Sequence, residues 1–463
     1  VEPYQWNCDN QALYNYGEPL DGQNEAARGY RKGFISPINP FVPSGWIGSC
    51  QFPQITPGGL DDSWQHGADL YGVYHDLLGF LPARGDQGDG TEKIQYRVTN
   101  NLITSQVAGM VVNAMWGTTD RFPLFVQADV VDSLEPKYSC SVGSNLFNAI
   151  KSSANPAWQE HLDRAEELYT VLDDISGVGD GGSFHASFDP YYDNLSARQC
   201  HGKPLPCKLV DGANSSTCIT QEQADAVYRL GHWEYSQIYR DHSSSLPASS
   251  TSYGVWVGEL AAHLREVIGG NTNTIYRHNV AHDGSVSRML SILQLDEMVW
   301  PGMGAEIVFE LYKKTADGEQ PPEPTTTVIA PDCSHNNCLR QVIRHSESAS
   351  SFCATFTEST VSARPTWPSE CGDIEQMSSA CSCVDGTPMV TTVSEAPEST
   401  AAPADDEFFV RVLFGGQVLK SSVPQFGLMD MIPVGTLLEY FDNLVGVDAT
   451  LVKGKCSGEV PVE

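Results

Sequence analysis

Two stretches rich in Pro, Thr and acid, ADGEQPPEPTTTVIAPD from residue 316 and VSEAPESTAAPADDE at residues 393–407, break the periodic apolar pattern of this chain. Neither composition supports a packed core, and both read as linkers. Between them lie six cysteines, Cys333, Cys338, Cys353, Cys371, Cys381 and Cys383. An even count in a segment with few large apolar residues predicts a small disulfide-stapled module. After the second linker, FFVRVLFGGQVL (residues 408–419) alternates like two strands turning at Gly415-Gly416. A main body is left and then re-entered, so the Cys-rich piece is expected to be an insertion.

The 463 residues suffice for one large interrupted domain or for two domains. Acidic residues outnumber basic ones 58 to 27, and the formal charge of −31 opposes binding to nucleic acid or anionic lipid over the surface as a whole. No apolar run approaches the roughly 20 residues of a membrane-spanning helix. The chain starts at Val1 with neither an initiator Met nor a signal peptide and reads as processed or incomplete. Thirteen cysteines, some closely spaced as in Cys200/Cys207, Cys333/Cys338 and Cys381/Cys383, suit disulfides in an oxidising compartment. The odd total leaves one unpaired or with its partner missing. The expected location is secreted, extracellular or cell wall. Sequons at Asn194 and Asn214 agree with export. No pair of CxxC knuckles argues for zinc, so neither metal nor cofactor is expected.

Two segments place polar groups where a strand hands over to a helix. In KIQYRVT (residues 93–99), Ile94, Tyr96 and Val98 share one face, with Gln95, Arg97 and Thr99 on the other. Thr99 or Asn100 can then cap a helix with Leu102 or Ile103, Val107, Met110 or Val111, and Ala114 on its apolar side. In YRHNVAHDGSVSRML (residues 276–290), a strand is followed by a turn at Gly284 and a helix that Ser285 can cap, with His282 and Asp283 at the hinge. Ligands collect at the carboxyl ends of strands in open α/β sheets, and helix starts offer N–H groups to anions. A cation and a His-Asp pair at two such hinges suggest a phosphate site. The blander readings are that Arg97 is a structural ion-pair donor and that a His-Asp dipeptide means little. His75-Asp76, inside GGLDDSWQHGADLYGVYHDLLG, reads as solvated surface, as does Asp173-Asp174, while Asp61-Asp62 reads as a helix-start preference.

Three long segments, CQFPQITPGGLDDSWQHGADLYGVYHDLLGFLP, YRVTNNLITSQVAGMVVNAMW and NVAHDGSVSRMLSILQ, occur in the order found in the histidine acid phosphatases, and the chain resembles secreted fungal members of that family over residues 1–313 and 407–463. The resemblance implies an α/β fold of the phosphoglycerate-mutase kind, a mixed sheet flanked by helices with a largely helical cap and, here, the Cys-rich insertion. Its divisions would be core at 1–119, cap at 120–254, core again at 255–314, linkers and insertion at 315–406, and core at 407–463. It implies hydrolysis of small-molecule phosphomonoesters through a phosphohistidine. Arg97 then corresponds to a phosphate-binding arginine, His282 to a donor to the same phosphoryl group, and Asp283 to the general acid that protonates the leaving alkoxide.

The family's RHGxRxP motif, which carries the nucleophilic histidine, has no counterpart here. Arg277-His278 lies on the strand that leads to Asp283, and Arg344-His345 lies in the insertion. The motif is expected upstream of Val1, on a segment that was cut away and either stays docked as a partner or was simply not seen. Ile103 also stands where many members have another arginine. The alternative is a pseudophosphatase acting as a secreted binding or cell-wall protein, because covalent catalysis cannot start without the histidine. No GxSxG elbow is present, and Gly177 to Phe184 lacks the GK[ST] of a phosphate loop. Trp158/His161 and Trp233/Tyr235 read as packing within the cap.

Overall fold

The computed structural model describes residues 13–14, 30–31, 55–85, 93–178, 184–211, 213–314 and 408–462. The chain divides into two compact units, Val1–Lys313 with Asp405–Glu463, and Lys314–Ala404. The six-cysteine segment and both linkers lie outside the described residues, as do residues 179–183 of the glycine-rich stretch.

Within the first unit the elements mix helix and strand. A two-stranded ladder pairs β1 (Leu13–Tyr14) with β2 (Tyr30–Arg31). Helix α1 (Pro57–Tyr71) packs on α2 (Leu102–Trp116), and between them in sequence runs β3 (Ile94–Val98). Strand β3 lies parallel to β4 (Leu124–Phe125) on one side and to β7 (Tyr276–Val280) on the other. The expected alternation holds: Ile94, Tyr96 and Val98 are buried against α1 and α2 neighbours such as Tyr71, Val111 and Met115. Each such side chain contributes about 1.5–3 kcal/mol to stability, which fixes the register and leaves Arg97 facing the other way.

Between β4 and β7 the chain is mostly helical. Helices α3 (Ser141–Ile150), α4 (Pro156–Arg164), α5 (Glu166–Ser176) and α6 (Asp189–Cys200) precede the hairpin of β5 (Cys207–Val210) and β6 (Ala213–Cys218). Helix α7 (Gln221–Ser236) starts with a capping box at Thr220 and Gln223, and the long α8 (Ser245–Ile268) leads back to β7. Tyr169, Leu172, Phe188, Tyr191, Leu195 and Val227 form a separate apolar cluster for this layer. A larger one gathers α8, α9 (Asp283–Ile292), β9 (Phe408–Phe414) and α10 (Val434–Val445).

Strand β8 (Ile307–Lys313) pairs antiparallel with β9 along its whole length, from Ile307 opposite Phe414 to Lys313 opposite Phe408. Strand β9 turns into β10 (Gln417–Val418) through Gly415 and Gly416, whose φ values of 57° and 77° suit the tight hairpin turn read from the sequence. Strand β11 (Ile432–Pro433) also pairs with β9, and α11 (Val452–Ser457) follows α10.

Several local readings change. Asn101, not Thr99 or Asn100, caps α2: its backbone is extended and its side chain accepts from the Ile103 N–H at 3.2 Å. Thr99 is instead buried, with its hydroxyl committed to Thr104 and His282. Ser285 does not cap α9, which starts two residues earlier with His282 at the N-cap; the Ser285 hydroxyl donates to the Leu134 carbonyl at 2.7 Å. Cys207 pairs with Cys218, which the hairpin places opposite it, and Cys140 pairs with Cys456, pairings that the spacing had left open. His75 is not simply solvated: it stacks on Tyr71 and bonds the Leu81 carbonyl at 2.7 Å. Asp61-Asp62 lies beyond the first turn of α1, and Asp173 accepts from Tyr191 and meets His185.

Candidate active site

Strands β3 and β7 are direct neighbours, with Arg97 opposite Asn279 and Val98 opposite Val280. Both run the same way, so the turns that follow them open at the same edge of the sheet. Thr99 and His282 meet there, Oγ1 to Nε2 at 3.0 Å, and the Glu135 carboxylate lies 3.4 Å from the same His282 nitrogen. The two hinges singled out in the sequence are therefore adjoining parts of one edge.

Asp283 opens α9 and is exposed. Its Oδ1 accepts the Gly284 N–H at 2.7 Å, while Oδ2 accepts from the Tyr235 hydroxyl at 2.8 Å and the Trp300 indole N–H at 3.2 Å. Burial, with Tyr239 and Asp283 nearby, pushes the Tyr235 hydroxyl far above the ordinary tyrosine value and keeps it a donor. The reading of Tyr235 as packing alone is thus incomplete, and Trp300 was not singled out at all. One sequence signal pointed here: Gly231 and Tyr235 stand one helical turn apart on α7, the spacing of a small residue beneath an aromatic one.

Arg97 is held on its own side. One terminal guanidinium nitrogen donates to Glu259 at 2.7 Å, and the other to Gln127 at 2.7 Å, Ser133 at 2.8 Å and Asp132 at 3.3 Å. Asp132 is 1% exposed and also accepts the Leu134 N–H at 2.9 Å. Of the three guanidinium nitrogens of Arg97, Nε alone is buried without a partner among the described residues. In this arrangement the guanidinium forms a structural ion-pair network as well as standing at the strand end.

Helix α6 brings two more carboxylates. Burial and then Asp283 raise the pKa of Asp189, with Lys151 opposing; burial, Asp189 and Asp283 push Asp193 up to about 6. A negative charge here is costly, and an acid proton is correspondingly favoured. The described residues contain no cluster of three or more His, Cys, Asp or Glu side chains able to hold a metal ion.

Of the two sequons, Asn214 is exposed on the β5–β6 hairpin, whereas Asn194 is half-buried within α6. Trp158 and His161 pack as read: Trp158 is fully buried, and buried His161 lies 2.8 Å from Glu234.

No family model matches this chain, and no curated protein does. Solved structures similar to it include a phytase from Klebsiella sp ASR1, at 13% identity and a TM-score of 0.43 over 58% of this chain and 72% of that one. A phytase from Citrobacter braakii gives 12% and 0.40 over 58% and 75%, and the apo form of Hafnia alvei phytase 12% and 0.38 over 60% and 74%.

Proposed function

We propose that this protein is a secreted phosphomonoester hydrolase of the histidine acid phosphatase kind. The observation that carries the reading is the exposed Asp283 at the start of α9, tethered by the Tyr235 and Trp300 side chains and seated beside His282 at the edge shared with Arg97. Asp283 protonates the leaving oxygen, a step worth roughly 10²–10⁴-fold. His282 and Arg97 face the phosphoryl group. The nucleophile is a histidine on a segment upstream of Val1, which forms the phosphohistidine that water then hydrolyses. The Cys140–Cys456 and Cys207–Cys218 disulfides support an oxidising location, and Asn214 is the better-presented glycosylation site.

The test is release of phosphate from aryl and alkyl phosphomonoesters between about pH 3 and 7, with His282→Ala and Asp283→Asn alongside. Activity lost in both variants supports the reading. A wild-type protein carrying the upstream segment yet inert would sink it.

One observation favours the second reading, a catalytically inactive pseudophosphatase acting as a secreted binding or cell-wall protein whose partner is not phosphate: the terminal nitrogens of Arg97 already serve Glu259, Asp132, Gln127 and Ser133. Under that reading, inorganic phosphate fails to bind in calorimetry at any pH in the same range.

A further inference from the structure

Asp283 is exposed, and an exposed carboxyl normally rotates freely. Here it does not, because three aromatic rings from three parts of the chain are stacked behind it. Tyr192 of α6 lies on Trp300, with centroids 3.9 Å apart and planes 11° from parallel, and Trp300 lies on Tyr235 of α7 at 4.0 Å and 19°. Trp300 is 4% exposed, and its backbone N–H donates to His232 Nδ1 at 3.1 Å. Burial lowers the pKa of His232, which favours the neutral ring that can accept this bond. Gly231 completes the support, since a Cβ there would come within 2.5 Å of the Tyr192 ring and 3.2 Å of Trp300. Only glycine leaves room for the stack.

We infer that Trp300 and Tyr235 are positioning residues that hold Oδ2 of Asp283 so that Oδ1 presents the acid proton to the leaving-group oxygen, with Tyr192 tying their placement to α6. The inference rests on the proposed hydrolase reading. Its chemistry follows from donor types. An indole N–H only donates, so it binds an Oδ2 that carries no proton in its direction. The proton of the acid form then resides on Oδ1, whose remaining lone pairs still accept from Gly284. As the P–O ester bond breaks, the phosphoryl group passes to the histidine nucleophile, the electron pair stays on the leaving oxygen, and that oxygen takes the Oδ1 proton. In the second half-reaction, water attacks the phosphohistidine and returns a proton to Asp283. Orientation of this kind matters most when the leaving group is poor, because a nitrophenolate departs without help and an alkoxide does not.

The experiment compares Trp300→Phe and Tyr235→Phe with the wild-type full-length protein on glycerol 2-phosphate and p-nitrophenyl phosphate. Each substitution removes one donor and keeps a stacked ring. The expected result is a loss of kcat/KM on the alkyl ester that exceeds the loss on the aryl ester by about tenfold, together with a shifted alkaline limb of the pH profile, the limb on which a general acid loses its proton. In an Asp283→Asn background, neither substitution should lower alkyl turnover further. Equal losses on both substrates, or losses additive with Asp283→Asn, would overturn the positioning role while leaving the hydrolase reading intact. If Trp300→Phe does not fold, Tyr235→Phe decides the same question. A wild-type protein inert toward both esters refutes the hydrolase reading and the proton delivery with it.

Discussion

The turn after β3 and the turn after β7 end neighbouring parallel strands, yet they dispose of their charges in opposite ways. At the first, Arg97 is enclosed by Glu259, Asp132, Gln127 and Ser133. At the second, Asp283 is held by Tyr235 and Trp300 at Oδ2 and by the Gly284 N–H at Oδ1, yet stays exposed. A charge whose bonds are met internally has its main energetic role in folding; one held but left accessible can act on something outside the chain. Thr99 joins the two turns, because it belongs to the first and its hydroxyl meets His282 of the second.

Substitutions should separate these roles. Asp283→Asn is expected to cut alkyl phosphomonoester turnover by about 10²–10⁴-fold, measured by phosphate release, with little change in thermal midpoint. Arg97→Met should instead show a large loss of stability. It strands the buried Asp132 charge and should cost about 3 kcal/mol, read from the urea midpoint. An unchanged midpoint there would erase the contrast between the turns. Thr99→Val removes the hydroxyl between the two and is expected to cost about 1.5 kcal/mol by the same measurement, because Thr104 and His282 lose a shared partner.

The smallest effect concerns pH. Asp193 is pushed up to about 6 by burial and then by Asp189 and Asp283. Its folded pKa exceeds the unfolded value near 4, so its contribution to stability is full below about pH 4 and fades as pH rises through about 6. Asp193→Asn should therefore raise stability above pH 6, by about 1 kcal/mol after allowing for solvent screening at an exposed residue, and leave it unchanged below pH 4. A gain that is the same at every pH would detach Asp193 from the Asp283 turn.

The sequence made the two hinges legible because strand alternation, a following helix and a turn glycine are local patterns. It did not reveal what holds them. Tyr235 and Trp300 lie 48 and 17 residues from Asp283, and Glu259 lies 162 from Arg97, separations at which no periodicity operates. Glu259 left a trace, as an acid within the otherwise small or apolar run YGVWVGELAA. The caps were misplaced by one to three residues for a related reason. Thr99 and Ser285 are residue types that cap helices locally, but here both hydroxyls are drawn into contacts that exist only once the sheet edge has formed. The cysteine pairs were equally closed to spacing, since Cys140 and Cys456 stand 316 residues apart.

The full-length pairing of β8 with β9 puts Lys313 directly across from Phe408, so the chain departs toward residue 314 and comes back at residue 407 through a single doorway one ladder rung wide. Such a doorway tolerates cargo of any length at small entropic expense. An Asn-Gly turn is the shortest connection that would join Lys313 to Phe408 across that rung.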